Sequence, residues 1–264
     1  MARFAFALTM AALLAACGGR AAMTPQTAPL TGPQSLFGAN SDAVPNASTK
    51  LLALYTFNGT LADASGNGRT AHDSGTPTYV TGAPFGGKAI VFNGLGSAIV
   101  TAPLNISVAG LKQVTFGGWF KAASIATPQY GIVSNDDGDF DRSIDIDARD
   151  PGGGIKWSAF VGGSVNGKVA VAVGKWVFVA VSFNQAVLPG HYVLYVHSGS
   201  TTTTVSGTDH FDGNSVTTRV TIGKNPNFDH PFKGQAANVF FEHLILTPTQ
   251  IANIIAHGPS ALPR

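Results

Sequence analysis

A chain of 264 residues with 44% hydrophobic and 11% charged residues carries a formal net charge of +2, from 16 basic and 14 acidic side chains. The basic residues are scattered along the chain, which excludes the electrostatic stripe that a nucleic-acid binder needs. A single cysteine excludes an internal disulfide, so the apolar core alone must stabilise the fold.

The chain opens on Arg3 and an apolar run from Phe4 to Leu14, too short to span a bilayer and patterned as an export signal. Residues 1–16 are therefore expected to be a signal peptide. The following Leu14-Ala15-Ala16-Cys17-Gly18 resembles a bacterial lipobox, in which the cysteine becomes the lipidated first residue; the alternative is an ordinary secretory signal with a chance cysteine. The resemblance implies a protein of the cell envelope, lipid-anchored through Cys17, with Gly18 in place of Asp pointing to the outer membrane. No later stretch has the apolar length of a membrane span, so membrane attachment is expected through the lipid only. Residues 17–49 are rich in Ala, Thr, Pro, Gln, Ser and Gly without a hydrophobic period, the composition of a flexible tether.

From residue 50 to about 260 the pattern changes to short β-rich runs between Gly, Asn, Asp and Pro clusters, as in an all-β sandwich of one domain. The expected strands, in chain order, are Leu52 to Phe57, Lys88 to Phe92, Ala98 to Thr101, Val114 to Lys121, Tyr130 to Ser134 and Ser143 to Ala148. Then come Ile155 to Val161, Val169 to Val173, Trp176 to Phe183, His191 to His197, Arg219 to Ile222 and Ala237 to Leu246. In Trp176 to Phe183 both parities are apolar, which predicts a central strand buried on both faces. One helix closes the domain: Thr247 as its cap, Pro248 at the first helical position, Gln250 completing a capping box, and Gly258 after the last turn.

Four phrases occur in order over residues 51 to 258. They are Ala53-Leu54-Tyr55-Thr56-Phe57-Asn58-Gly59-Thr60-Leu61-Ala62-Asp63-Ala64-Ser65-Gly66-Asn67-Gly68, then Ala89-Ile90-Val91-Phe92-Asn93-Gly94, Val114-Thr115-Phe116-Gly117-Gly118-Trp119-Phe120-Lys121, and Gly174-Lys175-Trp176-Val177-Phe178-Val179-Ala180-Val181. Together with the stretch from Gly234 to Leu246 and its Thr-Pro-x-Gln-Ile helix, the set resembles the laminin G-like, pentraxin-like branch of the concanavalin A-like superfamily. The resemblance implies a two-sheet antiparallel jelly-roll β-sandwich that binds sugars, glycoconjugates or proteins, often with calcium. Fold alone does not fix function, so the residues are read position by position.

Seven of the 14 acidic residues fall between Asp136 and Asp150. Asp139, Asp141, Ser143, Asp145 and Asp147 share one parity and Phe140, Ile144 and Ile146 the other, which predicts a carboxylate-bearing face backed by an apolar one. That face is a solvated surface, a ligand-contacting ridge or a hard-cation site. The ligand-binding candidates are Asp136, Asp137, Asp139, Asp141 and Arg142, with Trp157 in the next strand offering either a sugar-stacking ring or core packing. The EF-hand reading fails, because Arg142 and Ala148 stand where that loop needs glycine and glutamate.

Related jelly-roll glycosidases carry Glu-x-Asp-x-Glu on one strand face, a pattern to which Ser143-Ile144-Asp145-Ile146-Asp147 is the nearest match. It lacks the nucleophile, and Glu242 is the only glutamate. No catalytic residue is assigned, and the chain is read as a binder. For calcium, the resemblance implies Asp63 of the opening loop, which is either a metal ligand or a turn residue bonding its own backbone. Ser97 and Ala237 stand where similar proteins carry further Asp ligands, which weighs against the metal. The expected function is a surface-anchored recognition module for carbohydrate, with a protein-adhesion module as the alternative and a glycoside hydrolase third.

Overall fold

The computed structural model describes residues 50–96, 100–135, 142–161, 164–209, 219–226 and 230–264. Fifteen strands, one α-helix and a short closing 3-10 helix (Gly258–Ala261) form the regular structure of these residues. In chain order they are β1 (Leu51–Tyr55), β2 (His72–Asp73), β3 (Thr78–Thr81), β4 (Lys88–Asn93), β5 (Val100–Ala102), β6 (Gln113–Ala122), β7 (Gln129–Ser134) and β8 (Ser143–Asp147). They continue with β9 (Lys156–Val161), β10 (Ser164–Ala170), β11 (Val177–Asn184), β12 (Gly190–Ser198), β13 (Thr201–Asp209), β14 (Val220–Ile222), β15 (Lys233–Glu242) and α1 (Pro248–His257).

Two antiparallel sheets face each other, as a jelly-roll sandwich requires. One runs β13-β12-β11-β6-β15-β4-β3, with β1 also paired to β15; the other runs β10-β9-β8-β7-β14-β5-β2. Alternation fills the space between them. From the first sheet Phe116, Phe120, Val179, Val181 and Phe241 point inward, and from the second Ile144, Ile146, Trp157, Ala159 and Ile222 meet them. Phe116 lies between Phe183 and Phe241 with ring centroids 5.9 and 5.8 Å away, both stacked.

Strand β11 is apolar on both parities because both of its faces are covered. Val177, Val179, Val181 and Phe183 enter the inter-sheet core. Phe178 and Ala180 face outward, where Trp119, Phe240 and Leu246 join Ile251 and Ile254 of α1 in a second apolar cluster. The helix begins where its capping box stands: the Gln250 amide donates to Thr247 Oγ1 at 3.3 Å and the Thr247 amide to Gln250 Oε1 at 2.8 Å. It ends at Gly258, whose φ of 70° suits glycine. No described helix is long and apolar enough to cross a membrane.

The expected strand pattern departs from the structure mainly at the edges. Strands β2, β3 and β13 were not expected. β13 is a threonine-rich edge strand, paired with β12 from Ser198–Thr201 to Gly190–Asp209, so it carries little of the period that a buried face imposes.

Candidate functional site

At one end of the sandwich the segment leading into β15 folds back over β7. The approach is close: Gly131 donates its amide to the His230 carbonyl at 3.0 Å and forms a parallel bridge with Pro231. A Cβ at Gly131 would lie 2.2 Å from the Asn225 amide nitrogen, so only glycine admits this crossing.

The crossing leaves an open cleft of about 240 Å³. Its walls are Ser124, Ala126 and Thr127 from the β6–β7 connection and Tyr130 from β7. His230, Pro231 and Lys233 face them, with Gly94 beyond the end of β4. The Tyr130 oxygen accepts from the Thr127 amide at 2.9 Å, and Thr127 Oγ1 donates to the Gln129 carbonyl at 3.0 Å. Burial works to raise the Tyr130 phenol pKa and is the largest single influence, yet hydrogen bonds from Thr127, Ser124 and Ala126 together hold it below the usual phenol range. The stem of Lys233 lies against Gly94, where an added Cβ would sit 2.9 Å from Lys233 Cβ. The lining therefore combines hydroxyls, an aromatic edge, an imidazole and an ammonium group, and no carboxylate among the described residues.

Next to the cleft, the outward face of β8 carries Ser143, Asp145 and Asp147. The predicted alternation is present, with Ile144 and Ile146 in the core. The carboxylates, however, are engaged with protein groups. Asp145 accepts from Ser143 Oγ. Asp147 is buried and takes Arg149 Nη2 at 2.7 Å, the Arg149 amide at 2.7 Å and Gln129 Nε2 at 3.2 Å. Asp150 binds Lys156 Nζ at 2.7 Å and the amides of Gly152 and Gly167, each at 2.8 Å. Burial, the largest single influence, would raise its pKa, but these three donors together hold it below the usual carboxylate range. The shared parity is there, but the described part of it is no open acidic ridge.

Two of the expected ligand contacts, Arg142 and Trp157, lie in the core. Arg142 is fully buried: its Nη1 donates to the carbonyls of Ile106 at 2.8 Å and Leu111 at 2.7 Å, and its guanidinium carbon lies 5.2 Å from the Phe183 ring centre. It shares parity with Ile144 and Ile146, which sends it between the sheets to tie β8 to the loop before β6. Trp157 is also fully buried, opposite Ile146 in register and 6.3 Å from the Phe120 ring, so no sugar can stack on it. Asp136, Asp137, Asp139 and Asp141 lie outside the described residues, as do Cys17, Ser97 and residues 17–49.

Asp63 acts as the hub of its own loop. Its Oδ1 accepts from the amides of Leu54 at 3.0 Å and Ser65 at 2.8 Å, and its Oδ2 from Ser65 Oγ at 2.8 Å and the Arg69 amide at 3.1 Å. All four lone-pair directions of the carboxylate are thereby used. Ala237, buried and packed with Ala83 and Ala89, offers no side-chain oxygen. This donor set does not fit a calcium ion, which takes six to eight oxygens. No group of three or more His, Cys, Asp or Glu capable of holding a metal occurs among the described residues.

Sequence reasoning missed the cleft because its walls come from three segments far apart in the chain. Residues 94, 124–130 and 230–233 share no motif. Gly131, in the middle of an apolar strand, is the one local sign of a close backbone approach.

A family model for the concanavalin A-like lectin/glucanases superfamily matches residues 92–252, more than half of the chain. No curated protein matches it in sequence. Among solved structures, domain 4 of an extracellular arabinanase from Geobacillus stearothermophilus, in complex with arabinotriose, is 22% identical with a TM-score of 0.54, covering 78% of this chain and 98% of that one. The binding domain of botulinum neurotoxin DC in complex with SialylT is 17% identical, TM-score 0.56, with 81% of this chain and 52% of that one covered. The binding domain of Paraclostridial Mosquitocidal Protein 1 is 14% identical, TM-score 0.55, covering 76% and 51%. The chain thus spans about half of each toxin domain and nearly all of the arabinanase domain, and at these identities the likeness is one of fold.

Proposed function

This chain belongs to the concanavalin A-like lectin/glucanases superfamily, and on that premise we propose that it is a non-catalytic recognition module whose ligand is a carbohydrate. The observation that carries the reading is the cleft beside β7. A shallow site lined by hydroxyls, an imidazole and an ammonium group over the buried Tyr130 ring offers donors and acceptors for ring hydroxyls. At about 240 Å³ it falls below the roughly 300–1,000 Å³ of sites that enclose drug-sized ligands, and suits one ring or a chain end. The arabinotriose complex of the arabinanase domain supports a saccharide as the ligand class.

The hydrolase reading is the weaker one. A glycosidase needs two carboxyls flanking the scissile bond, one of them protonated as the acid. Asp147 is instead clamped by Arg149, Asp145 accepts from Ser143, and Asp150 is held ionised by Lys156. Glu242 lies on β15, in the other sheet from β8.

The proposal includes export and lipid attachment at Cys17, on the strength of the Phe4–Leu14 run and the small residues before the cysteine. Palmitate labelling in a bacterial host, lost on Cys17→Ser, is the expected outcome. The ligand class is tested on a glycan array with the full chain. Saccharide signal is expected; its absence across the array moves the protein-adhesion reading to first rank.

A further inference from the structure

The charge of the cleft narrows the ligand further, on the proposed carbohydrate reading. Lys233 and His230 stand on its wall, and none of its described lining residues is acidic. Lys233 has no carboxylate partner within ion-pair distance among the described residues, and its side chain is exposed. Its direction is nevertheless set, because the stem runs along the turn at Gly94. Gly94 has φ 78°, and a methyl group there would come within 2.9–3.4 Å of three Lys233 side-chain carbons.

An ammonium with no carboxylate opposing it among the described residues, set beside hydroxyl groups, favours an anionic substituent on an otherwise neutral ligand. One lysine, without a guanidinium fork or a helix N-terminus in the lining, suits a singly charged group better than a phosphate dianion. We infer that the cleft selects an acidic saccharide, one whose ring bears a carboxylate or sulfate ester held against Lys233. The ring hydroxyls then face Ser124 and Thr127.

The test is titration calorimetry of the full chain with trigalacturonate, its methyl ester, a sulfated trisaccharide and neutral arabinotriose. The acidic ligands are expected to bind about tenfold or more tightly than the ester, as a charge-assisted hydrogen bond implies. That advantage is expected to shrink with salt, vanish in Lys233→Gln and persist in Lys233→Arg. Whether uronate, sulfate ester or both show the gain tells which acid group is accepted. Equal affinity for acid and ester, unmoved by Lys233→Gln, overturns the inference and leaves the carbohydrate reading standing. Binding of no saccharide at all overturns both.

Discussion

Trp157 and Phe120 meet across the interior of the sandwich, their ring centroids 6.3 Å apart and their planes inclined by 34°. The indole of β9 thereby joins the two sheets. Removing it is expected to cost about 3–5 kcal/mol, the range for Trp→Ala in a packed core. Urea unfolding of Trp157→Ala checks this, and Trp157→Phe, which keeps most of the volume, is expected to lose far less and to retain ligand binding. Lost binding in a stably folded Trp157→Phe would return the ring to the ligand site.

The buried carboxyl of Glu242 makes stability depend on pH. Neither of its oxygens has a hydrogen-bond partner among the described residues, and burial pushes its pKa from 4.5 up to about 8, against the opposing charge of Lys50. Because the folded-state pKa is the higher one, the folded protein holds more protons than the unfolded between these values. Stability is therefore greatest below about 4.5 and falls as pH rises through about 8, by up to about 1.4 kcal/mol per unit from this group. Urea midpoints between pH 5.5 and 8.5, where ordinary carboxylates are ionised throughout, are expected to fall in the wild type and to flatten in Glu242→Gln. Parallel curves for the two proteins would contradict the assignment.

Asp63 is predicted to be structural. Asp63→Ala strands the amides of Leu54, Ser65 and Arg69 and is expected to destabilise by about 2–3 kcal/mol, the scale of losing hydrogen bonds to a charged acceptor. Added calcium or chelator is expected to leave the melting temperature of the wild type unchanged. A calcium-dependent rise that disappears in Asp63→Ala would restore the metal reading.

Much of the fold was legible in local pattern. The cap at Thr247 and Gln250, the stop at Gly258 and the two-sided apolar run of β11 each follow from a short stretch whose chemistry has few other uses. The opening phrase from Tyr55 to Gly68 was read as a family mark, and its physical content is a loop gathered around Asp63. Asn67 completes that loop by donating from Nδ2 to the Leu51 and Leu52 carbonyls at 2.7 and 3.1 Å. The edge strand β13 escaped notice because threonines on a half-exposed edge carry no hydrophobic period.

The site was less legible, and Arg142 and Trp157 show why. Residue type drew both toward the ligand, whereas parity assigned them to the core: Arg142 alternates in phase with Ile144, and Trp157 with Ala159 and Val161. Position on the pleat decides burial more strongly than the polarity of a side chain long enough to find buried carbonyls. The cleft depends on a crossing between Gly131 and Pro231, a contact 100 residues apart in the chain that no local window contains.

The most direct test of the central claim, that this module recognises saccharide in the cleft beside β7, is the affinity of Ala126→Trp for a glycan the wild type binds. Ala126 is exposed on the cleft wall, so the indole fills the site without entering the core. Calorimetry is expected to give at least about a hundredfold loss of affinity, in keeping with blocked entry to a pre-formed site, at an unchanged melting temperature. Undiminished glycan binding by Ala126→Trp would contradict the account and move recognition elsewhere on the sandwich.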